Sequence, residues 1–220
     1  MQHPDHPLRR PAWLGLALAL ACAGCAKNPN ERVTGDAGRM LRVSSKQITV
    51  DLDEAQRAEL ARLQDRRVGM VSGARALAAG ADALTAMGFA PVKSDAEVLL
   101  VEGERNRIVG NRWRAAIRAL IKAKGIPLRG KPDHESMRAL ISIRPSPGEG
   151  TLVRARFDLT VWDTNGDSRT TTVLDGALYA CFFERLDDSL DGRKPRPRPP
   201  VAPGEVDADC TTPAGGTASG

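Results

Sequence analysis

His134 stands in Pro132-Asp133-His134-Glu135-Ser136, with a carboxylate on either side and a hydroxyl two residues on. Those residue types could perform acid–base or nucleophilic chemistry. They are sequence neighbours, however, whereas triad partners converge from separate elements, and no nucleophile elbow or phosphate loop accompanies them. The other histidines, His3 and His6, lie at the extreme N-terminus. His134 is therefore expected in a solvated loop, and the chain is not read as an enzyme. A second group, Asp163-Thr164-Asn165-Gly166-Asp167-Ser168, matches the first three ligand positions of a calcium loop. Ser168 stands where that loop needs Gly, and Leu174 where it needs a bidentate Glu. Asn165-Gly166 is also a strong hairpin signal, which accounts for the same residues. No Cys or His spacing fits a metal site, so neither metal nor cofactor is expected.

Charge is more informative. Between Glu102 and Lys131 nine Lys and Arg stand against Glu102 and Glu104, a local balance of 9 − 2 = +7. Within this stretch, Asn111 to Lys124 places Trp113, Ile117, Leu120 and Ile121 on one helical face, with cations on the rest. A helix of this kind lies in a membrane interface, where each Lys or Arg near an anionic surface is worth about 1 kcal/mol. The competing reading is an apolar stripe packed on its own domain. Arg112, Trp113, Arg114, Arg118 and Lys122 are the candidate contact residues here. A second basic area comprises Arg138, Arg144, Arg154 and Arg156, which share one strand face if their hairpin pairs as expected. Arg154 and Arg156 are candidate contacts for phosphate or carboxylate groups; the alternative is that they keep an open sheet soluble.

The elements that must position these residues follow from periodicity. Val153, Ala155, Phe157, Leu159 and Val161 alternate with Arg154, Arg156, Asp158, Thr160 and Trp162, the pattern of a strand with one apolar and one wet face. Its expected partner is Met137 to Arg144, through a turn at Pro145 to Gly150. A third strand is expected around Thr170 to Val173. Asp175 can cap a closing helix that carries Leu178, Phe182, Leu186 and Leu190 on one side. Upstream, Ala74 to Met87 has helical spacing and ends at Gly88. Phe89 to Val92 and Ala96 to Val101 read as strands around a turn at Lys93 to Asp95, and Arg67 to Val71 as a first strand. Asp51 to Arg67 reads as a short helix with Asp51 and Glu54 at capping-box spacing. Together these predict an α+β fold: an antiparallel sheet of about four to five strands, two packing helices and a basic helical insert over 103–135.

The ends carry a different text. Arg9 and Arg10 precede the apolar run Ala12 to Ala21, which is too short to span a bilayer, and small residues then lead into cysteine. Ala23-Gly24-Cys25 resembles the lipobox of bacterial lipoproteins, in which the cysteine after the cut is acylated. Cys22 occupies the position where that motif usually has Leu, and is itself the alternative site of lipidation. A cleaved signal without lipid is the further alternative. Neither cysteine is followed by Asp, so the family rule points to the outer membrane, facing the periplasm. Residues 26–66 read as a tether with the short helix, 67–190 as the domain, and 191–220 as a disordered Pro-rich tail. Cys181 and Cys210 allow a disulfide in an oxidising space, although a buried structural Cys181 is the preferred reading. The net charge is +5, yet the export signal argues against nucleic acid.

The segments ALTAMGF, KSDAEVLLVEGERNR, ALISIRP, LVRARFDLTVWDTNG and LYACFFERL resemble a family of uncharacterised bacterial lipoproteins. The layout is similar to that of the accessory lipoproteins serving the outer-membrane β-barrel assembly machine. The insert departs from that family in being strongly basic. The resemblance implies no established activity; the anchor and the basic surfaces point to an envelope lipoprotein with a non-catalytic binding or scaffolding domain, held by its N-terminal lipid and partnered by another envelope protein or anionic lipid. Peripheral binding of anionic lipid or lipopolysaccharide is the alternative. A hydrolase of envelope polymers using His134 is a third.

Overall fold

The computed structural model describes residues 29–36, 45–108, 130–146 and 148–198. In chain order its elements are β1 (Glu31–Asp36), β2 (Lys46–Val50), α1 (Glu54–Leu63), β3 (Asp65–Val68), α2 (Gly73–Ala86), β4 (Val92–Asp95), β5 (Leu100–Ile108), β6 (Pro132–Ser146), β7 (Gly150–Asp163), β8 (Ser168–Thr172) and α3 (Gly176–Leu190). The strands form one eight-stranded sheet in the order β1-β2-β8-β7-β6-β5-β4, with β3 also paired to β7. β2 and β8 run parallel and every other pair is antiparallel.

The long central strands follow from alternation. Val153, Ala155 and Phe157 of β7, Ala139, Ile141 and Ile143 of β6 and Val101 of β5 are all buried on one face. α2 and α3 cover that face. α2 buries Ala76, Leu77, Ala79, Gly80, Ala83 and Leu84, and α3 buries Leu178, Tyr179, Phe182, Phe183 and Leu186. Small residues on α2 let it sit close to the strands. The converse holds at Gly103 on β5, where a Cβ would lie 3.1 Å from both Leu84 and Phe89. Phe157 is the hub, with ring centroids 6.1 Å from Phe89, 5.1 Å from Tyr179 and 5.9 Å from Phe182. The contacts with Tyr179 and Phe182 are edge-on, an arrangement that adds to the stabilisation given by burial alone.

The expected sheet of four to five antiparallel strands with two helices is overturned. The sheet has eight strands and is mixed, and three helices stand among the described residues. The missing strands share a physical cause. β1 and β2 are short and fall in the stretch read as tether, where few apolar residues mark a period. β3 (DRRV) is nearly all polar and had been divided between a helix end and a first strand. The parallel β2–β8 pair joins residues over 100 positions apart, and no local pattern announces it.

Other boundaries move for identifiable reasons. α1 is capped by Asp53, which accepts from the Gln56 N–H while the Gln56 side chain accepts from Asp53 N–H. Asp51, the cap expected from spacing, instead receives a bidentate pair from Arg32. The β4–β5 turn falls after Asp95, whose carboxylate accepts from the Glu97 and Val98 N–H groups. The chain beyond Asp191 also departs from expectation, since the first part of the expected disordered tail is tied down. Arg185 donates to the Arg196 carbonyl, and the Arg198 N–H donates to the Ala86 carbonyl at 2.7 Å. Residues 199–220 lie outside the described residues.

Candidate contact surface

β5 and β6 are consecutive strands paired from Leu100↔Ser142 to Ile108↔His134. The basic insert therefore leaves the sheet at Ile108 and rejoins it at Pro132, at the open end of the long β6–β7 hairpin. Arg112, Trp113, Arg114, Arg118 and Lys122 lie outside the described residues, as do Cys22 and Cys25.

Asp163 organises the root of the insert. It is 3% exposed, and its carboxylate accepts from the Gly130 N–H at 2.7 Å, the Asn165 N–H at 2.9 Å and the Asp167 N–H at 3.0 Å. The Thr164 N–H donates to the Lys131 carbonyl at 2.9 Å. Asp167 in turn accepts from the Lys46 N–H at 2.8 Å, joining β2 to the same corner. This buried carboxylate satisfies three backbone donors at a corner largely shielded from water. It serves the hairpin turn and the insert's return strand, so the calcium-like spacing is explained by turn chemistry.

Beside this root the rings of His134 and Trp162 stack, with centroids 4.6 Å apart and planes within 9°. His134 is on β6 rather than in the loop expected from sequence. Its Nδ1 lies 3.3 Å from Asp133. Ser136 donates its hydroxyl proton to Glu104 at 2.9 Å. The Asp-His-Glu-Ser run is thus drawn out along a strand, with the Ser hydroxyl engaged across to β5.

The second basic area has the geometry that alternation implied. The register Arg138↔Asp158, Leu140↔Arg156, Ser142↔Arg154 and Arg144↔Leu152 puts all four arginines on the face away from the helices. Arg154 and Arg156 are not free cations. Arg154 makes two 2.6 Å bonds to Asp65 of β3, and these hydrogen bonds hold its guanidinium pKa above the ordinary value. Arg156 reaches Asp158 at 3.1 Å and Thr172 at 2.9 Å. The strand alternation revealed the arginines; Asp65, in a segment without alternation, gave no sign that it would neutralise one of them.

Cys181 also differs from the preferred reading. It is buried, but it is disulfide-bonded, with its partner outside the described residues. Arg185, itself 2% exposed, donates to the Cys181 carbonyl at 3.3 Å and contacts its sulfur. The bland apolar setting expected for this cysteine is in fact a junction of disulfide, buried cation and the chain following α3.

Compared with known protein families, with curated proteins and with solved structures, the chain matches none of them.

Proposed function

We propose that this chain is an envelope lipoprotein, lipidated at Cys25 and facing the periplasm from the outer membrane. Its domain binds or scaffolds another envelope component through the basic insert and is not catalytic. The observation that carries the contact reading is the root built around Asp163: two long strands, a buried carboxylate and a hydrogen-bonded turn brace both ends of a segment that is cationic throughout. Between 109 and 129 stand Arg112, Arg114, Arg118, Lys122, Lys124 and Arg129, with no acidic residue. A single-signed segment whose two ends are braced on the sheet suits recognition of an anionic partner, by steering its approach.

The compartment is supported separately. The N-terminal text has the order of a lipoprotein signal, and a disulfide at Cys181 accords with an oxidising space. Acylation is tested on the N-terminal peptide by mass spectrometry. Lipid on Cys25 that is lost in Cys25→Ala supports the assignment, and an acylated Cys25→Ala product moves the site to Cys22. Contact is tested by chemical crosslinking in intact cells. A discrete protein adduct should disappear when Arg112, Arg114, Arg118 and Lys122 are all replaced by Gln, and an adduct unchanged by those replacements contradicts the reading. His134→Ala should leave the adduct intact.

A further inference from the structure

β3 and β8 pair with the same edge of β7 but at different heights, β3 at Thr151 to Arg154 and β8 at Asp158 to Trp162. The notch between them is flanked by α1 and by the end of β2. It opens as a cleft of about 530 Å³, within the size range of small-molecule sites. The charged residues lining it are Arg32, Asp51, Arg57, Arg156 and Asp158, so its balance is 3 − 2 = +1.

These side chains are held in place before any ligand arrives. Arg32 is clamped on Asp51. Arg156 donates to Asp158 and Thr172, and Thr172 donates to Asp158 at 2.7 Å, which closes a three-residue ring of hydrogen bonds. Arg57 is oriented through its Nε, which donates to the carbonyls of Leu52 at 3.1 Å and Asp53 at 3.2 Å. Its two terminal nitrogens have no partner among the described residues. The Asp51 carboxyl is held below its usual range, first by the hydrogen bond from Arg32, with the charges of Arg156 and Arg57 adding to the effect.

The rest of the lining is mixed. Thr49 and Thr170 bring hydroxyls, and Val50, Leu52 and Leu60 bring apolar wall. We propose that this cleft binds a small monoanion bearing several hydroxyls, of the sugar-acid class. The free nitrogens of Arg57 present the paired geometry that a carboxylate accepts. The threonine hydroxyls and the carboxylates of Asp51 and Asp158 can take up the ligand's hydroxyls, and the apolar wall faces its C–H surface. An excess of one positive charge matches one carboxylate. The inference is independent of the insert and of the lipid anchor.

The test is calorimetric titration of the full-length chain in non-ionic detergent with D-glucuronate, D-glucose and acetate. Glucuronate should bind about tenfold or more tightly than either glucose, which lacks the charge, or acetate, which lacks the hydroxyls. Arg57 is exposed on α1, so Arg57→Gln should keep the circular dichroism and melting temperature while weakening glucuronate by about tenfold. Absence of glucuronate binding would overturn the proposal. So would acetate binding as tightly as glucuronate, or full affinity in Arg57→Gln.

Discussion

On the face covered by α2 and α3, strands β5 to β7 present Val101, Ala139, Ile141, Ile143, Val153, Ala155 and Phe157, none more than 3% exposed. On the opposite face the same strands present arginines and carboxylates, with Arg154 paired across to Asp65 of β3 and Arg156 paired along β7 to Asp158. The first face is held by non-directional burial, to which every apolar residue contributes roughly in proportion to its area. The second is held by specific partners brought from elsewhere, as Asp65 is to Arg154. Exposed and half-exposed ion pairs of this sort add little to stability. Their effect is to leave the outer face charged but nearly balanced, while the unbalanced positive charge is concentrated in the insert. The fold thus separates a stabilising face from a nearly neutralised one, and the cationic stretch of sequence lies between β5 and β6.

The contrast can be broken most forcefully from the apolar side. Phe157→Ala removes the ring that contacts Phe89, Tyr179 and Phe182, and should cost about 4 kcal/mol in a denaturant titration. A cost near that of a surface substitution would mean that the helices do not pack as described. Asp163→Ala strips three backbone N–H groups of their acceptor at a buried corner, for an expected loss of about 3 kcal/mol. The same change should raise hydrogen exchange at Gly130 and Asn165 well above that of the β6–β7 centre. Arg154→Met lies on the other side of the comparison. Its pair with Asp65 is part-exposed, so the loss should be at most about 1 kcal/mol by the same titration. A larger loss would show that the outer face is structural after all.

Tyr179 offers a finer probe of the inner face. Burial pushes its phenol up to about 12, against the ordinary 10, and the hydrogen bond it donates to the Val173 carbonyl is one that only the protonated form can make. The folded state therefore keeps the proton that the unfolded state gives up. Its contribution to stability is fully present below pH 10 and is lost as pH rises from 10 towards 12. Tyr179 is the only tyrosine of the chain, so phenolate absorbance in an alkaline titration reports on it alone. Ionisation near pH 10 with the fold intact would mean that the ring is wet.

These differences explain what the sequence could disclose. Alternation in β7 and the stripes of α2 and α3 are local patterns, and they marked the inner face with its helices. β1, β2, β3 and β8 carry no comparable pattern, because short strands on a wet sheet need few apolar residues. β1 and β2 therefore escape the sequence reading, along with the parallel pair that β2 makes with β8, whereas β8 lies where the third strand is expected and β3 overlaps the expected first strand only at Arg67 and Val68. The same reasoning applies to the candidate surface. Arginines at even spacing, six apart on β6 and two apart on β7, are legible as one face, whereas the neutralising role of Asp65 depends on a pairing 89 residues distant. Asp163 was visible as part of a turn, but its grip on Gly130 arises only when the insert closes.

The central claim is that recognition belongs to the insert and not to the neutralised face. Photo-crosslinking in intact cells, from position 113 in one variant and position 140 in another, sets the two regions directly against each other. Leu140 is the outer-face control, exposed and paired with Arg156. The account predicts a discrete protein adduct from position 113 and none from position 140. An adduct from 140 with only internal crosslinks from 113 would contradict it, and lipid adducts alone from 113 would replace the protein partner with the membrane surface.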